Sequence, residues 1–150
     1  MTITTRPMEA ADRSAWEDLF AGYAAFYKVD QTAQMRETVY GWLMDADHGS
    51  KCIVAQDENG TIVGFTHYRP FVSQLRAMTN CFLDDLFVSP QARGTGAAQA
   101  LIKAVEAVAQ QKGWGTVRWI TAEDNYRGRG VYDKLATHTG WVTYDIKVNG

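Results

Sequence analysis

Apolar and polar positions recur with two different periods along the chain. Residues 2–5 alternate like a short strand, which Pro7 stops. Over residues 12–27, Trp16, Leu19, Phe20, Tyr23, Phe26 and Tyr27 return at steps of three and four, predicting a helix with an aromatic stripe turned to the core. Met35, Val39, Trp42 and Leu43 keep that spacing over residues 31–44, a second helix. The pattern then becomes strand-like. Residues 52–56 and 61–68 are β-branched or aromatic runs joined by Asp57-Glu58-Asn59-Gly60, whose closing Asn-Gly supports a tight hairpin. Residues 80–88 form a third strand of this group, set off by a looser stretch at 70–79. Residues 96–112 give the clearest helix, with Ala100, Leu101, Ala104, Val105 and Val108 on one face and Gly113 as its cap. A strand at 117–121, a helix at 127–137 and a closing strand at 141–148 complete the expectation. Helices interleaved with strands around one mixed sheet make the fold class α/β or α+β, a single domain over residues 1–150.

Composition narrows the function classes. Of 150 residues 46% are hydrophobic, enough for one ordinary core, and 15 Lys and Arg against 17 Asp and Glu leave no basic stripe for nucleic acid. No apolar run reaches the length of a membrane span, and residues 1–13 are too polar for a signal peptide. Cys52 and Cys81 lack metal or disulfide spacing and read as buried thiols of a reducing compartment, so a soluble cytoplasmic protein is expected. His48, His67 and His138 have no carboxylate cluster beside them, and no metal site is expected.

The chemistry concentrates between Leu83 and Ala98. A strand carrying Asp84 and Asp85 runs through Phe87 and Val88 into a turn marked by Pro90, then into a loop with Gly94 and Gly96 before the Ala-rich helix. Glycines there let the backbone approach an anion, and the free N–H groups and positive dipole of the helix start bind it. The loop lacks the Lys of a Walker A motif, and Gln99 stands where a dinucleotide fingerprint needs its third glycine.

Gln91-x-x-Gly94-x-Gly96 resembles the coenzyme A pyrophosphate loop of the GNAT superfamily of N-acetyltransferases. Downstream, Asn125-x-x-Gly128-x-x-x-Tyr132 is similar to that family's Asn-x-x-Ala-x-x-x-Tyr segment, with Gly128 in the alanine position. Leu83-Asp84-Asp85-Leu86-Phe87-Val88 looks like the corresponding strand of spermidine/spermine acetyltransferases and of the fungal histone or D-amino-acid acetyltransferase group.

The resemblance implies a GNAT-like fold, a mostly antiparallel sheet flanked by helices, and acetyl-CoA as co-substrate. It implies an enzyme that acetylates a small-molecule primary amine by direct attack in a ternary complex, as a homodimer. Asp84 is then the water-linked base or amine anchor, with Asp85 second. Tyr132 protonates the departing thiolate, and a backbone N–H near Phe87 or Val88 polarises the carbonyl. Gln91, Arg93, Gly94, Thr95, Gly96, Ala97 and Ala98 surround the pyrophosphate, and Asn125 holds the pantetheine arm or orients its helix. A lysine acetyltransferase acting on histones or other proteins, and a non-catalytic acyl-CoA sensor, are the alternatives. Strand geometry adds a condition: successive residues face opposite sides, so without a bulge only one of Asp84 and Asp85 reaches a given face.

Overall fold

The computed structural model describes residues 1–150 and divides into two compact units, residues 1–120 and 121–150. In the first, five strands line up in the order of the chain: β1 (Thr4–Pro7), β2 (Lys51–Gln56), β3 (Ile62–Ser73), β4 (Met78–Val88) and β5 (Val117–Arg118). The pairings are antiparallel except β4 with β5, which is parallel. Three helices cover this sheet: α1 (Arg13–Phe26), α2 (Ala33–Met44) and α3 (Ala97–Lys112). The second unit holds one helix, α4 (Tyr126–Leu135).

Period-two alternation sorts the sheet's side chains between two helical layers. Phe65 points to α1 and α2, joining Trp16, Phe20, Leu43, Cys52 and Val54 in one buried cluster. The neighbouring Gly64 points the other way, where a Cβ would meet Leu101 of α3 at 3.4 Å and the Phe87 carbonyl at only 2.9 Å. Trp16 and Phe65 are both fully buried, each stabilising the fold by about 2–3 kcal/mol. α3 is terminated at each end by glycine in the left-handed conformation, Gly96 (φ 85°) and Gly113 (φ 73°).

Several expectations are corrected. Pro7 belongs to β1 rather than stopping it. Residues 70–79 are not a loose stretch. β3 and β4 continue through them as one long hairpin, with Pro70 opposite Cys81 and a turn closed by the Ala77 N–H donating to the Gln74 carbonyl. Pro70 is tolerated because β2 pairs with β3 only as far as Tyr68, so the missing N–H faces an open edge. Phe26 and Tyr27 are exposed at 56% and 40% and meet edge to face, with ring centroids 5.1 Å apart. Phe26 lies roughly 100° off the line of Trp16 and Phe20 around α1, and Tyr27 is already the cap. β5 spans two residues where five were expected. Residues 141–148 form no strand, and Val142, Tyr144, Ile146 and Val148 are all exposed.

Candidate active site

β4 leaves its pairing with β3 for one residue. His67 pairs with Asp85, but the next residue, Tyr68, pairs with Leu83, so Asp84 is an extra residue in a β-bulge. The Asp85 carbonyl beside this break accepts the Thr66 hydroxyl at 2.8 Å. The bulge sets the direction of both carboxylates. Asp85 meets the His67 Nδ1 at 2.7 Å, and Asp84 meets the Arg69 Nε at 3.1 Å. His67 and Arg69 are two residues apart on β3 and share a face, so Asp84 and Asp85 share it too.

The two carboxylates are not equivalent. Burial pushes the Asp84 carboxyl above its ordinary range, the Arg69 guanidinium pulls it back, and Asp85 pushes it up again. Arg69 itself lies over the Phe82 ring, 5.1 Å from the centroid. Asp85 meets the buried imidazole of His67, which in turn accepts the Trp16 indole N–H at 2.9 Å. Burial also raises both thiols, Cys81 to about 11. Neither cysteine is a nucleophile at neutral pH.

Beyond the bulge, β4 has a free edge. Its parallel pairing with β5 covers only Cys81 and Phe82, so residues 83–88 are paired on the β3 side alone. The Ser89 N–H donates to the Val63 carbonyl on that side. Alternation along an antiparallel ladder therefore turns the Val88 N–H outward to the open edge and the Phe87 N–H inward to β3. The Phe87 ring packs edge-on against Tyr23 of α1, with centroids 6.1 Å apart.

Val88 leads into a 3-10 turn at Pro90–Ala92 and then the glycine loop. Ala92 and Ala97 are buried and anchor the loop at both sides, while Gln91, Arg93, Gly94 and Gly96 are exposed and Thr95 and Ala98 half-buried. The Thr95 hydroxyl donates to the Ala92 carbonyl, tightening the bend. Gly94 (φ 81°) and Gly96 (φ 85°) adopt a conformation side chains resist, and open space lies where their Cβ atoms would be. Gly96 caps α3 without any side-chain hydrogen bond, and the first turn contains no acidic residue. The start of α3 thus keeps unsatisfied N–H groups and an uncompensated positive end, the arrangement that fits a diphosphate.

In the second unit, Asn125 is the N-cap of α4. Its Oδ1 accepts the Gly128 N–H at 3.2 Å and its Nδ2 donates to the Thr121 hydroxyl at 2.9 Å. A Cβ at Gly128 would lie 2.5 Å from the Asn125 Nδ2, so a larger residue there requires the Asn125 side chain to move. Tyr132 is half-buried on the same helix, two turns after the cap and on its side.

His67, Arg69 and Trp16 escape a motif search. The available hint is His67, a polar residue alternating with Phe65 on a core-facing run.

A strand bulge bearing two carboxylates, an open strand edge and a helix start with free N–H groups thus follow one another along residues 83–98. The acetyltransferase (GNAT) family model matches residues 15–136, and the chain belongs to that family. It is an acyltransferase. Over 149 residues it is 30% identical to the D-amino-acid N-acetyltransferase HPA3 of Saccharomyces cerevisiae, covering 99% of this chain and 91% of the relative. It is 31% identical over 148 residues to the uncharacterized N-acetyltransferase YhfO of Bacillus subtilis, covering 97% and 98%. Among solved structures, AAC(6')-Iy in complex with a bisubstrate analogue, CoA-S-monomethyl-acetylneamine, shares the fold with a TM-score of 0.85 at 20% identity, covering 99% of this chain and 100% of that one. No helix is long and apolar enough to cross a membrane.

Proposed function

We propose that the protein transfers acetyl from acetyl-CoA to the primary amine of a small molecule, polyamine or amino-acid-like, by direct attack in a ternary complex. The observation that carries this reading is the bulge that turns Asp84 and Asp85 to one face of β4. The family match spans both compact units, which supports treating residues 1–150 as one catalytic domain. The yeast relative, a D-amino-acid N-acetyltransferase, supports a small amine as acceptor.

A lysine-like amine with a pKa of ~10.4 is neutral about one time in a thousand at pH 7.4, a handicap of roughly 4 kcal/mol. Asp84, its carboxyl raised by burial, is the proton acceptor, working through water. Asp85, held by His67, anchors the ammonium form. The outward Val88 N–H polarises the thioester carbonyl while the pantetheine arm lies along the free edge of β4 like an added strand. Gln91, Arg93 and Thr95 stand around the diphosphate, which sits on the amides of Gly94, Gly96, Ala97 and Ala98. Asn125 holds the start of α4 in order. Tyr132 protonates the leaving thiolate, an assignment that rests on the Asn125-to-Tyr132 motif.

The exposed alternation of Val142, Tyr144, Ile146 and Val148 supports a homodimer in which this segment pairs with a second copy, and a monomeric mass in solution would refute it. The free, buried Cys52 and Cys81 suit the cytoplasm.

Free-thiol release from acetyl-CoA over a panel of polyamines, D- and L-amino acids and lysine peptides tests the reading. Turnover with small amines is expected, and Tyr132→Phe lowers kcat by ~100-fold while leaving acetyl-CoA affinity unchanged. Saturable CoA binding without thiol release from any amine is the result that replaces the enzyme with a sensor.

A further inference from the structure

His67 is 3% exposed and boxed in by aromatic rings, with Phe20 and Phe65 centroids at 4.8 Å and Trp16 at 6.0 Å. An indole N–H only donates. Because the Trp16 Nε1 lies 2.9 Å from the His67 Nε2, that nitrogen must offer its lone pair, and the ring proton is placed on Nδ1. Nδ1 lies 2.7 Å from the Asp85 Oδ2, so the contact is an N–H donated to the carboxylate. One residue from α1, one from β3 and one from the β4 bulge thus form a chain whose donor directions are all determined.

We propose that His67, its tautomer locked by Trp16, is the positioning residue that orients Asp85 to receive the ammonium group of a cationic acceptor amine. The inference deepens the acetyl-transfer reading and rests on it. Both carboxylates of the bulge have a partner, but of different kinds. Arg69 brings a positive charge to Asp84 and offsets its negative charge. His67 brings only a dipole. It fixes the Asp85 Oδ2 without cancelling the carboxylate's charge. A carboxylate held in place before the substrate arrives does not lose rotational freedom on binding. Asp85 therefore recognises the substrate's positive charge, and His67 and Trp16 set the direction in which it does so.

The test compares His67→Leu, His67→Asn and His67→Gln in steady-state assays. His67→Leu raises the KM for the amine by roughly tenfold or more and leaves the KM for acetyl-CoA unchanged. His67→Asn, whose amide nitrogen stands where Nδ1 does, restores the amine KM to within a few-fold. His67→Gln, whose amide reaches toward Trp16 instead, does not. Were His67 only a core filler that satisfies the indole, Gln would rescue and Asn would not, and that order overturns the proposal. An unchanged amine KM in all three overturns it as well. In parallel, 15N-histidine NMR of the unmodified protein is expected to show His67 protonated at Nδ1 and bare at Nε2. The opposite tautomer removes the lock, whether or not any variant folds. Absence of thiol release by the unmodified protein sinks the acetyl-transfer reading and the anchor with it. Normal turnover with a uniform amine KM across the variants sinks the anchor alone.

Discussion

Asp12 is 7% exposed at the start of α1 and takes both Arg6 guanidinium nitrogens, at 2.7 and 2.9 Å, besides the Glu9 N–H at 2.8 Å. The hydrogen bond from Arg6 holds its carboxyl below the usual range, against the opposing effect of burial. A carboxyl depressed in the folded state stabilises fully above the unfolded value of ~3.9, and that contribution is lost as pH falls through the folded value. Asp12→Ala is therefore expected to lower unfolding free energy by about 1–2 kcal/mol at pH 7, because it removes two charge-assisted hydrogen bonds from Arg6 and the acceptor of the Glu9 N–H. The gap between variant and parent in urea midpoints closes below pH ~4. Arg69 acts on Asp84 in the same direction, but there burial outweighs it. Its guanidinium favours the ionised carboxylate, so Arg69→Gln raises the Asp84 pKa further. With Asp84 as the proton acceptor, the acid limb of kcat/KM moves to higher pH in that variant, and an unmoved limb would take Asp84 out of the role. Arg69 is not visible in a motif, since it stands 15 positions from Asp84.

α3 shows how the same residue type does two jobs at the ends of one element. Gly96 and Gly113 both sit at positive φ, and open space surrounds both. Alanine at either position costs about 1–2 kcal/mol, because a Cβ crowds the carbonyl in that conformation. Gly113→Ala is expected to lower stability by this amount and leave CoA affinity unchanged. Gly96→Ala lowers stability similarly and, on the proposed cofactor site, is expected also to weaken CoA binding in a calorimetric titration, because it disturbs the amides assigned there to the diphosphate. Equal affinities in the two variants would separate the loop from cofactor binding. Both glycines were legible from the chain, since they bracket an apolar period of 3.6. The bulge was not: it exists only because His67 and Tyr68 on β3 are paired out of step with Asp85 and Leu83 on β4.

Binding of acetyl-CoA couples local contacts to the stability of the molecule as a whole. A ligand at about 100 times its dissociation constant adds ~2.7 kcal/mol to the folded state. For a chain of this size that is expected to raise Tm by roughly 5–10 °C in a thermal shift assay. An unmoved Tm at saturating acetyl-CoA would contradict the glycine-loop assignment. The same scan on residues 1–120 and 121–150 by amide exchange would report which unit gains protection.

Helices α1 to α4, the hairpin at Asp57–Gly60 and the glycine loop could be read along the chain because each is specified by neighbours within a few positions: a period, a cap, a turn residue. The family motif belongs to the same kind of information. The orientation of Asp84 and Asp85, the Trp16–His67–Asp85 chain, the tolerance of Pro70 inside β3 and the open edge of residues 83–88 depend instead on which strands lie side by side and where their pairing stops. Trp16 and His67 are 51 positions apart, and His67 and Asp85 are 18. Local periodicity carries no record of such distant partners, because strand register is chosen by burying both faces of the whole sheet at once.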